Sequence, residues 1–110
     1  MTAQSVIAAL CSAVGTSSLR YTEHYEHQLF SRPTPTHEDI RYILCEDRPR
    51  IIEDNQNDPR FRSYLIWGIM SDGRVGHILC TDPPNARLLT AYLPAETKPH
   101  KWRNNYQTRA

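Results

Sequence analysis

A four-residue interval organises the first fourteen positions. Val6, Leu10 and Val14 recur at that spacing with Ile7 and Cys11 beside them, which predicts an amphipathic helix with one apolar stripe. Thr2-Ala3-Gln4-Ser5 opens the helix and Gly15 is its stop signal. The stripe fits a docked helix and an appended arm equally well. Residues 18–21 read as a link or a short strand. Thr22 offers a hydroxyl cap, with Glu23 in the first turn, for a second helix running to about Ser31, where Pro33 and Pro35 forbid continuation. Thr36-His37-Glu38-Asp39 has the spacing of a capping box and starts a third helix that buries Ile40, Ile43 and Leu44.

Beyond residue 49 the period falls to two. Strands are predicted over 50–53, 63–70, 74–81 and 86–93, with a polar loop at 54–59. Asp72-Gly73 supplies a tight reversal, and residues 82–85 supply a second turn. Residues 95–110 are polar and basic, with Trp102 as their one anchor. Helices followed by a meander predict a single α+β domain over 1–110. Its N-terminal helices would pack on one face of a roughly four-stranded antiparallel sheet, leaving the other face wet or functional. Alternation assigns Leu65, Trp67, Ile78, Leu89, Ala91 and Leu93 to the interior. It sets Val75, His77 and Leu79 opposite Gly76, Ile78 and Cys80, and Leu88, Thr90 and Tyr92 opposite Leu89, Ala91 and Leu93.

Composition narrows this picture modestly. The chain has 110 residues, 39% of them hydrophobic and 23% charged, a globular mixture. No apolar run approaches the ~20 residues of a membrane helix. No basic residue precedes the first apolar stretch and no clear cleavage pattern follows it, so no export is expected. Cys11, Cys45 and Cys80, odd in number and far apart, predict neither a disulfide framework nor a zinc knuckle, and so a reducing cytoplasm. The net charge of +1 is uneven: residues 1–58 carry five arginines against nine acids, and residues 59–110 carry eight Lys and Arg against three acids. The basic half could face an anionic partner, or the charges could simply keep the surface soluble.

Phosphate-loop, dinucleotide, HExxH, GxSxG and CxxC patterns are all absent. His24 and His27, three apart on one helix, suit either a metal pair or a polar helix face; the second reading is the expectation, with no metal and no cofactor. His77 lies mid-strand between Val75 and Leu79, as an acid–base group or as a satisfied core histidine. Thr90 and Tyr92 could orient a phosphate or merely reflect strand preference. Arg32 is a phosphate clamp or a helix C-terminal cation. Lys98, His100, Lys101, Trp102 and Arg103 interleave cations with an aromatic, as RNA backbone contact requires, or form a solvated tail.

Ordered fragments run from Tyr21-Thr22-Glu23-His24, Arg32 and Asp39-Ile40 to Ile51-Ile52-Glu53-Asp54. They continue through Tyr64-Leu65-Ile66-Trp67-Gly68, Asp72-Gly73-Arg74, His77, Thr90-Ala91-Tyr92, Pro94 and Trp102. Together they resemble the bacterial family called domain of unknown function 4258, over about 19–102, with 1–17 and 103–110 outside. That family looks like part of the RelE/ParE-like and barnase-like toxin group, whose members have two helices before a curved antiparallel sheet and often lie beside a small antitoxin gene. The resemblance implies a metal-independent endoribonuclease toxin in which a ribose 2′-hydroxyl attacks the adjacent phosphorus. His24 and His77 would be base and acid, in either order, Arg32 the charge stabiliser, and Tyr92 and Thr90 the phosphate-orienting groups; Lys98, Lys101 and Arg103 of the basic tail would add RNA contacts. Its partners would be RNA and a small antitoxin protein, not DNA or a membrane. The alternative is a non-catalytic protein-binding module of the same fold. The chain departs from the family at Tyr25, where a small residue is usual, and at Pro33-Thr34-Pro35, where a Gly-Ile pair is usual.

Overall fold

The computed structural model describes residues 2–46 and 48–110. Helix α1 (Ala3–Gly15) starts at Thr2, whose hydroxyl accepts the Ser5 amide while the Ser5 hydroxyl accepts the Thr2 amide, so two of the orphan donors at this end are satisfied. Strand β1 (Arg20–Tyr21) leads into α2 (Glu23–Ser31), capped by Thr22, and then α3 (His37–Cys45), capped reciprocally by Thr36 and Asp39. The meander follows: β2 (Arg50–Asn55), β3 (Ser63–Ile69), β4 (Val75–Thr81) and β5 (Arg87–Tyr92). In the β3–β4 reversal Gly73 takes φ +91°, a conformation that L side chains resist. A short helix α4 (Pro94–Thr97), a 3-10 turn (Pro99–Lys101) and a hairpin of β6 (Trp102–Arg103) and β7 (Thr108–Arg109) complete the chain.

The sheet corrects the four-stranded antiparallel expectation. It has five strands in the order β1-β5-β4-β3-β2, and β1 lies parallel to β5, Arg20 opposite Arg87 and Tyr21 opposite Leu88. The short strand that residues 18–21 offered is too brief to reveal its partner, which is the last strand of the meander. The β6–β7 hairpin is a separate two-stranded sheet, equally invisible in a polar tail.

The helices cover one sheet face. Tyr64, Ile66, Ile78, Cys80, Leu88 and Ala91 meet Val6, Leu10, Tyr25, Ile40, Ile43 and Leu44 in one buried cluster. Gly68 permits the close approach of α3, since a Cβ there would lie 2.4 Å from Ile43 Cγ2. The N-terminal helix is therefore docked, and a disulfide joins its Cys11 to Cys45 at the end of α3. This corrects the reading of three unpaired cysteines: residues 34 apart in sequence become neighbours only once both helices pack. It also removes the cysteine argument for a reducing compartment. Cys80 stays free, and burial pushes its thiol up to about 12. Among the described residues no helix is long and apolar enough to cross a membrane.

Of the six interior positions expected, Leu65, Trp67, Ile78, Ala91 and Leu93 are buried. Leu89 is only half-buried, because a bulge places Leu88 opposite Cys80 and Thr90 opposite Leu79. That one extra residue sends Leu88, not Leu89, into the core. Leu65 and Trp67 are buried on the second face, outside the cluster beneath the helices, and the C-terminal hairpin holds Trp67.

Candidate functional site

On that second face β3, β4 and β5 align Trp67, His77 and Tyr92 across the sheet. The hairpin turn above them runs through Asn104, Asn105 and Tyr106 at φ 53°, 57° and 67°, three successive left-handed residues. Asn tolerates this conformation, whereas Tyr does so at a cost of roughly 1–2 kcal/mol. The turn aims two carbonyls at the sheet. Trp67 Nε1 donates to Asn105 O (2.8 Å), and His77 Nε2 donates to Tyr106 O (2.8 Å).

The second bond fixes the state of His77. With the proton on Nε2, Nδ1 is an acceptor and takes the Tyr92 hydroxyl at 3.2 Å. His77 has 0% exposure, and burial pulls its pKa down to about 4. It is neutral, with both nitrogens occupied and the Trp102 ring edge-on at 4.5 Å. The expected role as an acid or base on substrate is therefore corrected: His77 cannot touch a ligand in this arrangement. It holds Tyr92, whose own phenol burial pushes up to about 12.

Beside this buried pair opens a cleft of ≈ 380 Å³. One wall is formed by His24 and Gln28, four apart on one face of α2, and by Arg32, the extended residue that caps the helix C-terminus. Thr90 and Tyr92 form the floor. Thr97, Lys98, Lys101, Trp102 and Arg109 form the opposite wall. The Thr22 hydroxyl donates to Leu89 O (2.9 Å), tying the start of α2 to the β5 bulge. Thr90 Oγ1 donates to Gln28 Oε1 (2.7 Å), so its remaining oxygen lone pair is oriented rather than free to rotate.

The electrostatics are one-sided. Arg109 is paired with Glu53 and stacks over Trp102, 4.7 Å from the ring centre. Arg32, Lys98 and Lys101 pair with no carboxylate among the described residues. The charge of Lys98 beside it holds the Lys101 ammonium below the usual lysine range. With no carboxylate paired to either lysine, this wall of the cleft is positively charged.

Six of the eight residues given a site role from sequence thus converge, His24, Arg32, Thr90, Tyr92, Lys98 and Lys101, joined by the tail anchor Trp102. His77 lies beneath them, and Arg103 is exposed on β6, away from the cleft. His27 is not in the lining, and no cluster of three or more His, Cys, Asp or Glu that could hold a metal occurs among the described residues. Sequence reasoning missed Gln28, Thr97 and Arg109. The interval from His24 to Arg32 could have found Gln28; nothing in the tail points to Arg109. The two departures at Tyr25 and Pro33–Pro35 touch each other, the Tyr25 hydroxyl donating to Pro35 O (2.7 Å), which anchors the link that presents Arg32.

The family model described as Domain of unknown function (DUF4258) matches residues 21–93, and the chain belongs to that family. The match takes in α2 and all of β2–β5, and stops short of the α4 and hairpin wall of the cleft. No curated protein and no solved structure matches the chain significantly.

Proposed function

We propose that this family member is a toxin-type, metal-independent endoribonuclease that binds an RNA phosphodiester in the His24–Arg32–Lys101 cleft. The observation that carries the reading is the convergence of three cations without carboxylate partners on a cleft holding one exposed imidazole and two oriented hydroxyls. Such a site offers a phosphate charge and charge-assisted hydrogen bonds from Arg32, Lys98 and Lys101, and offers a ribose hydroxyl the lone pairs of Thr90 and Tyr92.

In this reading the 2′-oxygen forms a bond to phosphorus and the bond from phosphorus to the 5′-oxygen breaks, leaving a 2′,3′-cyclic phosphate and a 5′-hydroxyl. His24, the imidazole open to the cleft, takes the 2′-hydroxyl proton. Lys101, its proton loosened by Lys98, gives one to the leaving 5′-oxygen. Arg32 and Lys98 neutralise the phosphorane. Thr90 and Tyr92, whose protons go to Gln28 and His77, turn lone pairs to the cleft that accept from a ribose hydroxyl, and His77 is a positioning residue acting through Tyr92. A small antitoxin protein would inhibit by covering the cleft.

A fluorogenic single-stranded RNA tests this. Wild-type protein should cleave it to cyclic-phosphate ends, and His24→Ala should lose about 10²–10⁴-fold in rate at an unchanged melting temperature. RNA that binds without being cut would remove the nuclease and leave a phosphate-binding module. Absence of binding would remove both. The protein-binding alternative has its own observation, a largely apolar cleft of ≈ 600 Å³ between α1 and the outer strand β2, lined by Ile7, Ala8, Leu44 and Ile51.

A further inference from the structure

Strand β5 leads away from the cleft floor toward a second cationic group. Arg87 starts the strand, and across the bulge it falls on the same sheet face as Thr90 and Tyr92. Arg20 sits directly opposite it on the adjacent parallel strand. Neighbouring strands lie about 4.8 Å apart, so two guanidinium stems leave the sheet side by side. Both side chains are exposed, and neither pairs with a carboxylate among the described residues. Arg87 also stacks over Phe61, 5.4 Å from the ring centre, and Arg60 lies over the same ring at 5.2 Å. The nearby acids are engaged elsewhere: Asp82 accepts the Tyr64 hydroxyl, Asp54 holds Arg62, and Asp58 meets Arg60.

Like charges set opposite each other across a ladder are destabilising, so the sheet carries this pair at a cost that a bound anion would remove. The stretch between is half-exposed and apolar, with Leu79 and Leu89 flanking Thr90. From Arg87 to Tyr92 the strand covers roughly 17 Å at about 3.3 Å per residue.

We propose that Arg20 and Arg87, with Phe61, form a second phosphate subsite, and that single-stranded RNA runs along β5 from the cleft to it. The inference rests on the RNA-binding reading of the cleft and adds the substrate class, an extended single strand covering several nucleotides. A duplex does not fit, because apolar Leu79 and Leu89 face the track midway and favour unpaired bases.

Fluorescence anisotropy with single-stranded oligonucleotides of about 3 and about 12 nucleotides separates the two ideas, using wild-type protein and the Arg20→Ala/Arg87→Ala variant. The longer RNA should bind wild type about 10-fold more tightly than the shorter one, and the variant should lose that advantage while keeping its affinity for the short RNA. The slope of log affinity against log salt for the long RNA should fall by about 1.4, the loss of two phosphate contacts. Unchanged long-RNA affinity and slope in the variant overturn the subsite and leave the cleft reading intact. Failure of wild type to bind either RNA overturns both. A 12-base-pair duplex binding as tightly as the single strand would overturn the single-strand assignment.

Discussion

The two faces of the sheet are built on opposite principles. The helix side is sealed by shape: apolar residues interlock, and Gly68 lets α3 approach until Ile43 fills the space a side chain would occupy. The hairpin side is sealed by donors and acceptors: Trp67 and His77 each spend an N–H on a carbonyl of one strained turn, and His77 uses its other nitrogen on Tyr92. A shape-sealed face tolerates changes of pH and solvent but not of volume. A hydrogen-bonded face tolerates some change of volume but not of protonation. The cleft opens on the second kind, where polar groups are already ordered and one edge is left open to water.

The largest effect should come from the covalent tie on the helix side. Closing a 34-residue loop by Cys11–Cys45 stabilises the fold by about 4 kcal/mol in the chain-entropy account. Cys11→Ser, measured by urea unfolding, should lose most of that and make the protein insensitive to reductant. Next is Gly68→Ala, which overpacks against Ile43 and should cost about 3 kcal/mol. Ile43→Ala in the same chain should recover part of the loss, a non-additivity that a double-mutant cycle reads directly. Purely additive costs would mean that the two side chains do not compete.

The hairpin side should respond to acid. His77 titrates at about 4 when folded and near 6.5 when unfolded. Above pH 6.5 its contribution is intact. As pH falls from 6.5 to 4 the unfolded chain binds the proton first, so stability drops by roughly 2–3 kcal/mol. His77→Gln should flatten that dependence over the same window while itself costing about 1–3 kcal/mol through unmatched partners. A slope that survives the substitution would locate the acid sensitivity elsewhere. The smallest effect is expected at the cleft rim: Lys98→Ala and Lys101→Ala should leave the urea midpoint unchanged, because these exposed side chains support no packing.

What the sequence made legible follows the same division. The helices, their Thr22 and Thr36 caps and the four meander strands appear with correct order and near-correct ends, because each is specified locally by period and capping chemistry. The wall residues His24 and Arg32 are marked by the family resemblance rather than by period. What escaped depends on partners distant in sequence. The parallel β1–β5 pair, the Cys11–Cys45 bond and the bulge that exchanges Leu88 for Leu89 are all set by packing rather than by neighbours. His77 shows the limit most sharply. Its alternation placed it on the correct face, but only the Tyr106 carbonyl, supplied by a tail with no strand signal, decides that it is a structural neutral imidazole rather than a free base.

The parallel pairing of β1 with β5 has a kinetic consequence. Arg20 and Arg87 are 67 positions apart, so this contact closes a long loop, whereas each hairpin of the meander closes a short one. Local contacts form faster than distant ones, so β3 and β4 should come together before β1 finds its place. Helix α2 hangs directly from β1 and brings His24, Gln28 and Arg32 with it. The cleft is therefore among the last parts of the molecule to assemble, and a chain caught part-way through folding has a sheet but no site.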